Sequence, residues 1–350
     1  MQHGQPFRTI EGQLERNRQM PVGHRAMAAY DAALHAGTIG RRSLHPPRPP
    51  PMTGFACCHM TQLQRPSMVF APMSTAELRA LLGPAAEQAD EILATLRTNR
   101  SRLPVAFPGL PRRFGKAVAG GGQRLFGEAT VDLDAFRTCD LVAAYLVTSL
   151  DATEEEVLDV FAHGDIEERA MLFRCLNFMP LSSTTSRLFG EALRTNIVLH
   201  LEAAMCDSDL LARTLKSGTI DADTGNRLLL KFAFIGMDLT RALNIESHAN
   251  ATLSTMLQDL ATEREAAGRS VWKHTYRMLG HAVCPGALGR LIGGLEHGDD
   301  GVRHAAADGL LAMRNNDSKL QPLLAQFAQE RLPREPRETV RELLQQLATN

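Results

Sequence analysis

Aromatic side chains are scarce in this sequence: 350 residues carry one Trp and three Tyr, and only 5% of positions are aromatic. Runs of β-branched residues are equally rare, whereas Ala, Leu, Arg and Glu recur throughout, a mixture that favours helix over sheet. No apolar stretch approaches the roughly 18 residues that a membrane span needs, so no integral membrane segment is expected. The six cysteines (57, 58, 139, 175, 206 and 284) include no C-x-x-C pair and have no His at zinc-ligand spacing. They read as reduced residues, most of them filling helix cores, and a cytoplasmic setting follows from that.

Net charge is also nearly absent, at −1, but it is unevenly spread. Residues 1–72 hold eight Arg against Glu11, Glu15 and Asp31, so this segment carries +5 and the remainder −6. An acidic body lacks the basic footprint that nucleic-acid affinity requires. What the chain does have is 44% hydrophobic residues, enough for a sizeable core. Residues 1–72, with the Pro run from His45 to Pro51 and five of the twelve His, show no helical period and are expected to be disordered. They read as a transit peptide, a regulatory tail or, preferably, translation from a start placed too far upstream. Met73 then opens Ser74-Thr75-Ala76-Glu77, a capping box ahead of Leu78, Leu81 and Leu82.

From there the spacing predicts helix after helix, including single helices over 131–149, 208–216 and 246–267, the last stopped by Gly268. One recurrence organises them. His163-Gly164-Asp165 with Arg169 is echoed by His297-Gly298-Asp299 with Arg303: Gly ends one helix, Asp caps the next, and Arg follows one turn inside it. Helical hairpins of this kind bury their apolar faces only by stacking. The expected fold is all-α, a HEAT-like α-solenoid or compact α–α array whose usual output is a binding surface.

Catalytic constellations are missing as well. Gly109 precedes Gly115-Lys116 with one residue too many for a P-loop, and Ala117 cannot ligate magnesium. Gly120-Gly121-Gly122 reads as a flexible connector. Asp299-Asp300 is followed by Arg303 where a diphosphate-binding cluster needs a carboxylate. H-E-x-x-H and G-x-S-x-G do not occur. His163 with Asp165 and His200 with Glu202 are two apart and share no helical face, so neither a metal nor a cofactor is expected.

Two features bear on binding. Arg97, Arg100, Arg102, Arg112, Arg113, Lys116 and Arg124 lie in a stretch without Asp or Glu, interleaved with Phe107, Phe114 and Phe126. The stretch could hold an anionic small molecule or lipid headgroup, or be a solvated basic face docking on the acidic body. Lys231 sits in the apolar run Leu228 to Ile235, where its ammonium must find a carboxylate, reach water along its stem or face a ligand cavity. If both features serve one ligand head, Arg112, Arg113 and Arg194 border one groove with Lys231 behind it, walled by Phe107, Phe114, Phe232 and Phe234.

With helices placed, the block from Arg194-Thr195-Asn196 through Leu230 to Leu239 and Met256 to Arg269 resembles the EboA family, as do Phe107 to Lys116 and Phe161 to Leu181. The resemblance covers roughly 75–280, making 73–280 an EboA-like domain and 281–350 a HEAT-like extension. Met237-Asp238 departs from it, standing where a small apolar residue and Pro are more usual. It implies a secondary-metabolite gene cluster, with a prenyltransferase and TIM-barrel enzymes as partners, and a link to metabolite export. The expected function is a non-catalytic binding or scaffold protein for a hydrophobic or anionic metabolite, using Arg112, Arg113, Lys116, Arg194, Asn196 and Lys231. The alternative is an enzyme acting on an isoprenoid-like or indolic substrate, with Lys231 assisted by Arg194 or Asp165.

Overall fold

The structure, a computed structural model, describes residues 74–282 and 284–349. The disorder and alternative-start readings of residues 1–72 lie outside them. Packing divides the described chain into one unit running to His248 and another from Ala249. The division at 248/249 follows contacts; a boundary at 280 would follow sequence likeness, and the two criteria need not agree.

The first unit opens with α1 (Thr75–Leu81) and α2 (Ala86–Thr98), then two short helices, α3 (Leu103–Ala106) and α4 (Leu110–Phe114). The Ser74 capping box is present, with Glu77 N–H donating to Ser74 Oγ and Ser74 N–H to the Glu77 carboxylate. A small antiparallel hairpin follows, β1 (Gln123–Phe126) and β2 (Ala129–Asp132), in the register Gln123 opposite Asp132. The rest is helical: α5 (Thr138–Ser149), α6 (Glu154–His163), α7 (Ile166–Cys175), α8 (Ser183–Arg194), α9 (Val198–Met205), α10 (Leu210–Ser217) and α11 (Ala222–Ile235). An all-α protein with one minor hairpin is therefore what these residues form.

Helix α5 is the centre of this unit. Every residue from Cys139 to Val147 is buried, because the run Leu141-Val142-Ala143-Ala144-Tyr145-Leu146-Val147 is apolar all round and finds neighbours in α1, α2, α4 and α7. Asp140 is buried among them with no solvent exposure.

The helix expected over 131–149 begins later than its hydrophobic pattern suggests. Residues 130–132 are drawn into an extended ladder instead: Asp132 N–H donates to Asp207 O and Asp209 N–H to Thr130 O, and Thr130 N–H reaches the Asp209 carboxylate. These partners lie more than 70 residues away, and no local window contains them. Ser208, expected inside a helix, bridges Val131 on one side and Ala242 on the other. The connector Gly120-Gly121-Gly122 has positive φ at all three residues, a backbone that needs glycine, and is fastened by Gly122 N–H to Asp134 and Leu133 N–H to Gly122 O.

The second unit contains α12 (Ala251–Ala266), α13 (His274–His281), α14 (Ala287–Gly294), α15 (Asp300–Asn316), α16 (Gln321–Arg331) and α17 (Glu338–Ala348). The single helix expected over 246–267 is split, since Asn250 caps α12 through Leu253 N–H and residues Ile245–His248 form a separate 3₁₀ turn. Helices α13 and α15 meet backbone to backbone: a Cβ on Gly280 would stand 2.0 Å from Gly309 O. Buried Glu335 accepts ion pairs from Arg303 at 3.3 Å and Arg331 at 3.2 Å, joining α15 to α16.

The Gly-Asp recurrence has one physical meaning in both units. Asp165 accepts from Glu167 N–H and Glu168 N–H at 2.8 and 2.9 Å, and Asp299 from Val302 N–H at 3.0 Å, so each is an N-cap. Arg169 then donates back to Ala162 O at 3.2 Å and Arg303 to His297 O at 2.9 Å, supplying carbonyls left over at the end of the preceding segment. Replacing Asp165 or Asp299 by Ala is expected to cost about 0.5–2 kcal/mol in urea unfolding, the range for a lost cap. No measurable cost at either site would remove the cap from the account of these hairpins.

Candidate functional site

The residues expected to bind do not form one described cavity. Arg112 and Arg113 are exposed on α4. Lys116 pairs with Glu167 at 2.9 Å, and Arg100 pairs with Glu156 at 2.6 Å, so part of the basic stretch docks on the acidic body. Arg194 pairs with Glu191 one turn back on α8, and Asn196 is exposed beyond the helix end. Lys231, half-buried on α11, donates to Leu193 O at 2.8 Å. Its ammonium thus meets the C-terminal carbonyls of α8, where the helix dipole favours a cation. Burial lowers its pKa below the ordinary lysine value. The structure brings Lys231 and Arg194 to the same end of α8. Phe107 and Phe232 are core residues and cannot wall an open groove, while Phe234 is exposed.

A concave feature lies elsewhere in this unit, an open cleft of about 700 Å³ between α10 and the turn that follows residue 243. Asp209, Arg213 and Lys216 come from α10 and its cap; Asn244, Glu246, Ser247 and His248 form the facing wall, and Glu128 comes from the hairpin turn. Asp209 and Arg213 are buried at its base and paired at 2.7 Å. Arg213 also reaches Asn177 O.

The facing wall is held in place by a second ion-pair group. Arg241 grips Asp207 through two nitrogens, at 2.9 and 2.8 Å, and Glu202 through a third at 2.5 Å. Leu243 N–H donates to Ser208 O, and Ser247 Oγ closes onto Asn244 O. Asp207 and Asn244 both adopt positive φ, 62° and 61°, a conformation non-glycine residues enter only when their surroundings over-determine it. Two such residues flank this cleft, one on each wall's root. Sequence reasoning missed it, although Asp209, Arg213 and Lys216 are spaced i, i+4, i+7 and so stripe one face of α10. The facing turn has no comparable signature.

Nucleophile chemistry finds no support among the described thiols. Burial pushes the Cys139 thiol up to about 11 and Cys206 up to about 12, and also raises Cys175 and Cys284, so all four stay protonated near neutrality. Of the two His–carboxylate pairs, His163 turns back to Asp159 while Asp165 caps α7, and His200 Nε2 donates to Ile166 O at 2.9 Å. Among the described residues no His, Cys, Asp and Glu converge in the number a metal ion needs. No helix among them is long and apolar enough to cross a membrane.

An all-α chain of capped helical hairpins, with a pre-formed polar cleft in its first unit, is thus the class that fold and site define. Residues 130–280 match the model of a family described as metabolite traffic protein EboA. Over that stretch the chain is similar to the EboA family. Neither a curated protein nor a solved structure matches it.

Two imidazoles, buried His200 and half-buried His248, set a pH dependence. For His200 burial lowers the pKa, with Arg169 adding to this and the bond to Ile166 O opposing it; for His248 burial and then the Lys216 charge lower it, against the bond to Ala212. The unfolded chain therefore binds protons more tightly at both sites, so their contribution is complete above pH 6.5 and declines as pH falls below it. The expected slope is up to about 1.4 kcal/mol per pH unit for each His. His200→Gln, which keeps a donor for Ile166 O, is expected to flatten the stability profile between about pH 6.5 and 5. An unchanged slope in urea titrations would mean His200 is not a neutral core residue.

Proposed function

We propose that this chain is a non-catalytic binding protein of an Ebo-type secondary-metabolite pathway, which holds a small metabolite in the cleft between α10 and residues 244–248. The observation that carries this reading is the cleft itself: it lies almost wholly within the stretch matching the metabolite-traffic family, and both its walls are fixed before any ligand arrives. A pre-formed site spares the ligand the cost of ordering its own walls. Exposed Arg112, Arg113, Arg194 and Asn196, with Lys116 beside them, form in this reading a docking face for other proteins of the pathway, such as a prenyltransferase or a TIM-barrel enzyme. Such docking would pass the metabolite on, including toward export. A cytoplasmic location and HEAT-like stacking belong to the same reading.

A competing reading makes Lys231 a catalytic amine acting on an isoprenoid-like or indolic substrate. Its lowered pKa favours this, while the bond to Leu193 O gives the same ammonium a structural task. Native mass spectrometry of protein purified from its own host is expected to show a retained small molecule, released by substitutions at Lys216 and Arg213 and indifferent to Lys231→Gln. Borohydride treatment of the same preparation is expected to leave Lys231 unmodified. A reduced adduct on Lys231 would establish the enzyme reading instead, and a ligand-free protein in every preparation would count against metabolite binding.

A further inference from the structure

The cleft's charges are of both signs, and their arrangement restricts what can occupy it. At the base, Asp209 and Arg213 neutralise each other, and their remaining polar atoms are engaged: Asp209 also accepts from Thr130 N–H, and Arg213 also donates to Asn177 O. His248 is neutral near pH 7, since burial and the Lys216 charge both disfavour its protonation and its ring hydrogen bonds to the Ala212 backbone. Lys216 on α10 and Glu128 on the hairpin turn then face the opening, one charge of each sign and both exposed. A simple anion entering this space meets the like charge of Glu128. A simple cation meets Lys216, with Arg213 behind it.

We infer that the cleft takes a zwitterionic small molecule, an amino-acid-like compound whose acidic group lies against Lys216 and whose ammonium lies toward Glu128. The inference rests on the cleft being the ligand site and adds the chemical class of the ligand. A molecule carrying both charges satisfies each wall and introduces no net charge. The Asn244 side chain lies exposed on the same rim, where it can bond the polar head, and Ser247 Oγ, whose proton goes to Asn244 O, can still accept. The body of the ligand rests on Ala212 and on the methylene stem of Lys216. A volume of about 700 Å³ leaves room for a side chain well beyond the head group.

Three compounds with one carbon skeleton separate the charge contributions: phenylalanine, phenethylamine (no carboxylate) and 3-phenylpropionate (no amine). Titrated at millimolar concentration into the full chain and followed by backbone amide shifts at 209–216 and 244–248, phenylalanine is expected to bind more tightly than either analogue. Exposed ion pairs of this kind contribute a factor of about 2 to 5 each. Lys216→Gln is expected to bring phenylalanine down to the affinity of phenethylamine, and Glu128→Gln to bring it toward that of 3-phenylpropionate. Both side chains are exposed and outside the core, so these variants keep the fold. As an independent check on geometry, Lys216→Gln is expected to raise the His248 titration midpoint, because the Lys216 charge lowers it. A singly charged analogue binding as tightly as phenylalanine would overturn the ligand class while leaving the cleft as a site. Shifts absent from both segments with all three compounds would instead overturn the cleft as the ligand site.

Discussion

The first unit depends on how one buried carboxylate is neutralised. Asp140 lies on the central helix α5 with no exposure to solvent, where an uncompensated charge would be very costly. Four nitrogens from two arginines answer it. Arg137 supplies its backbone N–H at 2.9 Å and two guanidinium nitrogens at 3.0 and 2.8 Å, and Arg174 approaches from α7 at 3.5 Å while stacking on Phe136. Because Arg137 also reaches Glu167, and Glu167 reaches Lys116, one carboxylate fixes the starts of α5 and α7 and the chain beyond α4 together. Removing one partner of such a pair typically costs about 3–5 kcal/mol, most of it from the charge left behind.

The same polar chain runs on to the cleft. From Arg174 it passes along the end of α7, where Asn177 bonds Arg174 O, to Arg213, which donates to Asn177 O, then to Asp209 and across to Thr130 on β2. Asp207, two residues before Asp209, carries the connection to Arg241 and so to the wall that ends at His248. The cleft is therefore the outer end of a hydrogen-bonded core and not a gap between loosely held loops. Two residues in left-handed backbone conformations at its edges are tolerated because these bonds leave the chain no alternative path.

Much of this was legible in the sequence, and what was hidden was hidden for physical reasons. Helix positions, the Ser74 capping box, and Asp165 and Asp299 as caps follow from local rules, since a cap needs only its own next three residues. Of the helix expected over 131–149, the part from Thr138 to Ser149 forms. The bridges at Ser208 and Ala242 were illegible because each gains its partners across long stretches of chain, whereas the hairpin at 123–132 pairs locally around Gly127-Glu128 and was missed because its second strand opens the apolar pattern read as one helix. Lys231 was expected to be buried and to find a carboxylate, water or a ligand cavity, whereas it is half-buried and donates to a backbone carbonyl on another helix, which carries no residue signature. Basic density drew attention to Arg112 and Arg113, while Lys216 and Arg213 sit among acids and stand out only by their helical spacing. The EboA likeness gave the context that the family match supports.

The central claim is that the Asp140 core holds the cleft walls in place, and amide hydrogen exchange on Asp140→Asn tests it most directly. The substitution keeps the side-chain shape and removes the charge. At a temperature where the variant remains folded, the account predicts faster exchange in α5 and α7 and also at 206–213 and 239–248, some of which share no direct contact with residue 140. Faster exchange confined to α5 and the start of α7, with the cleft walls protected as before, would contradict it.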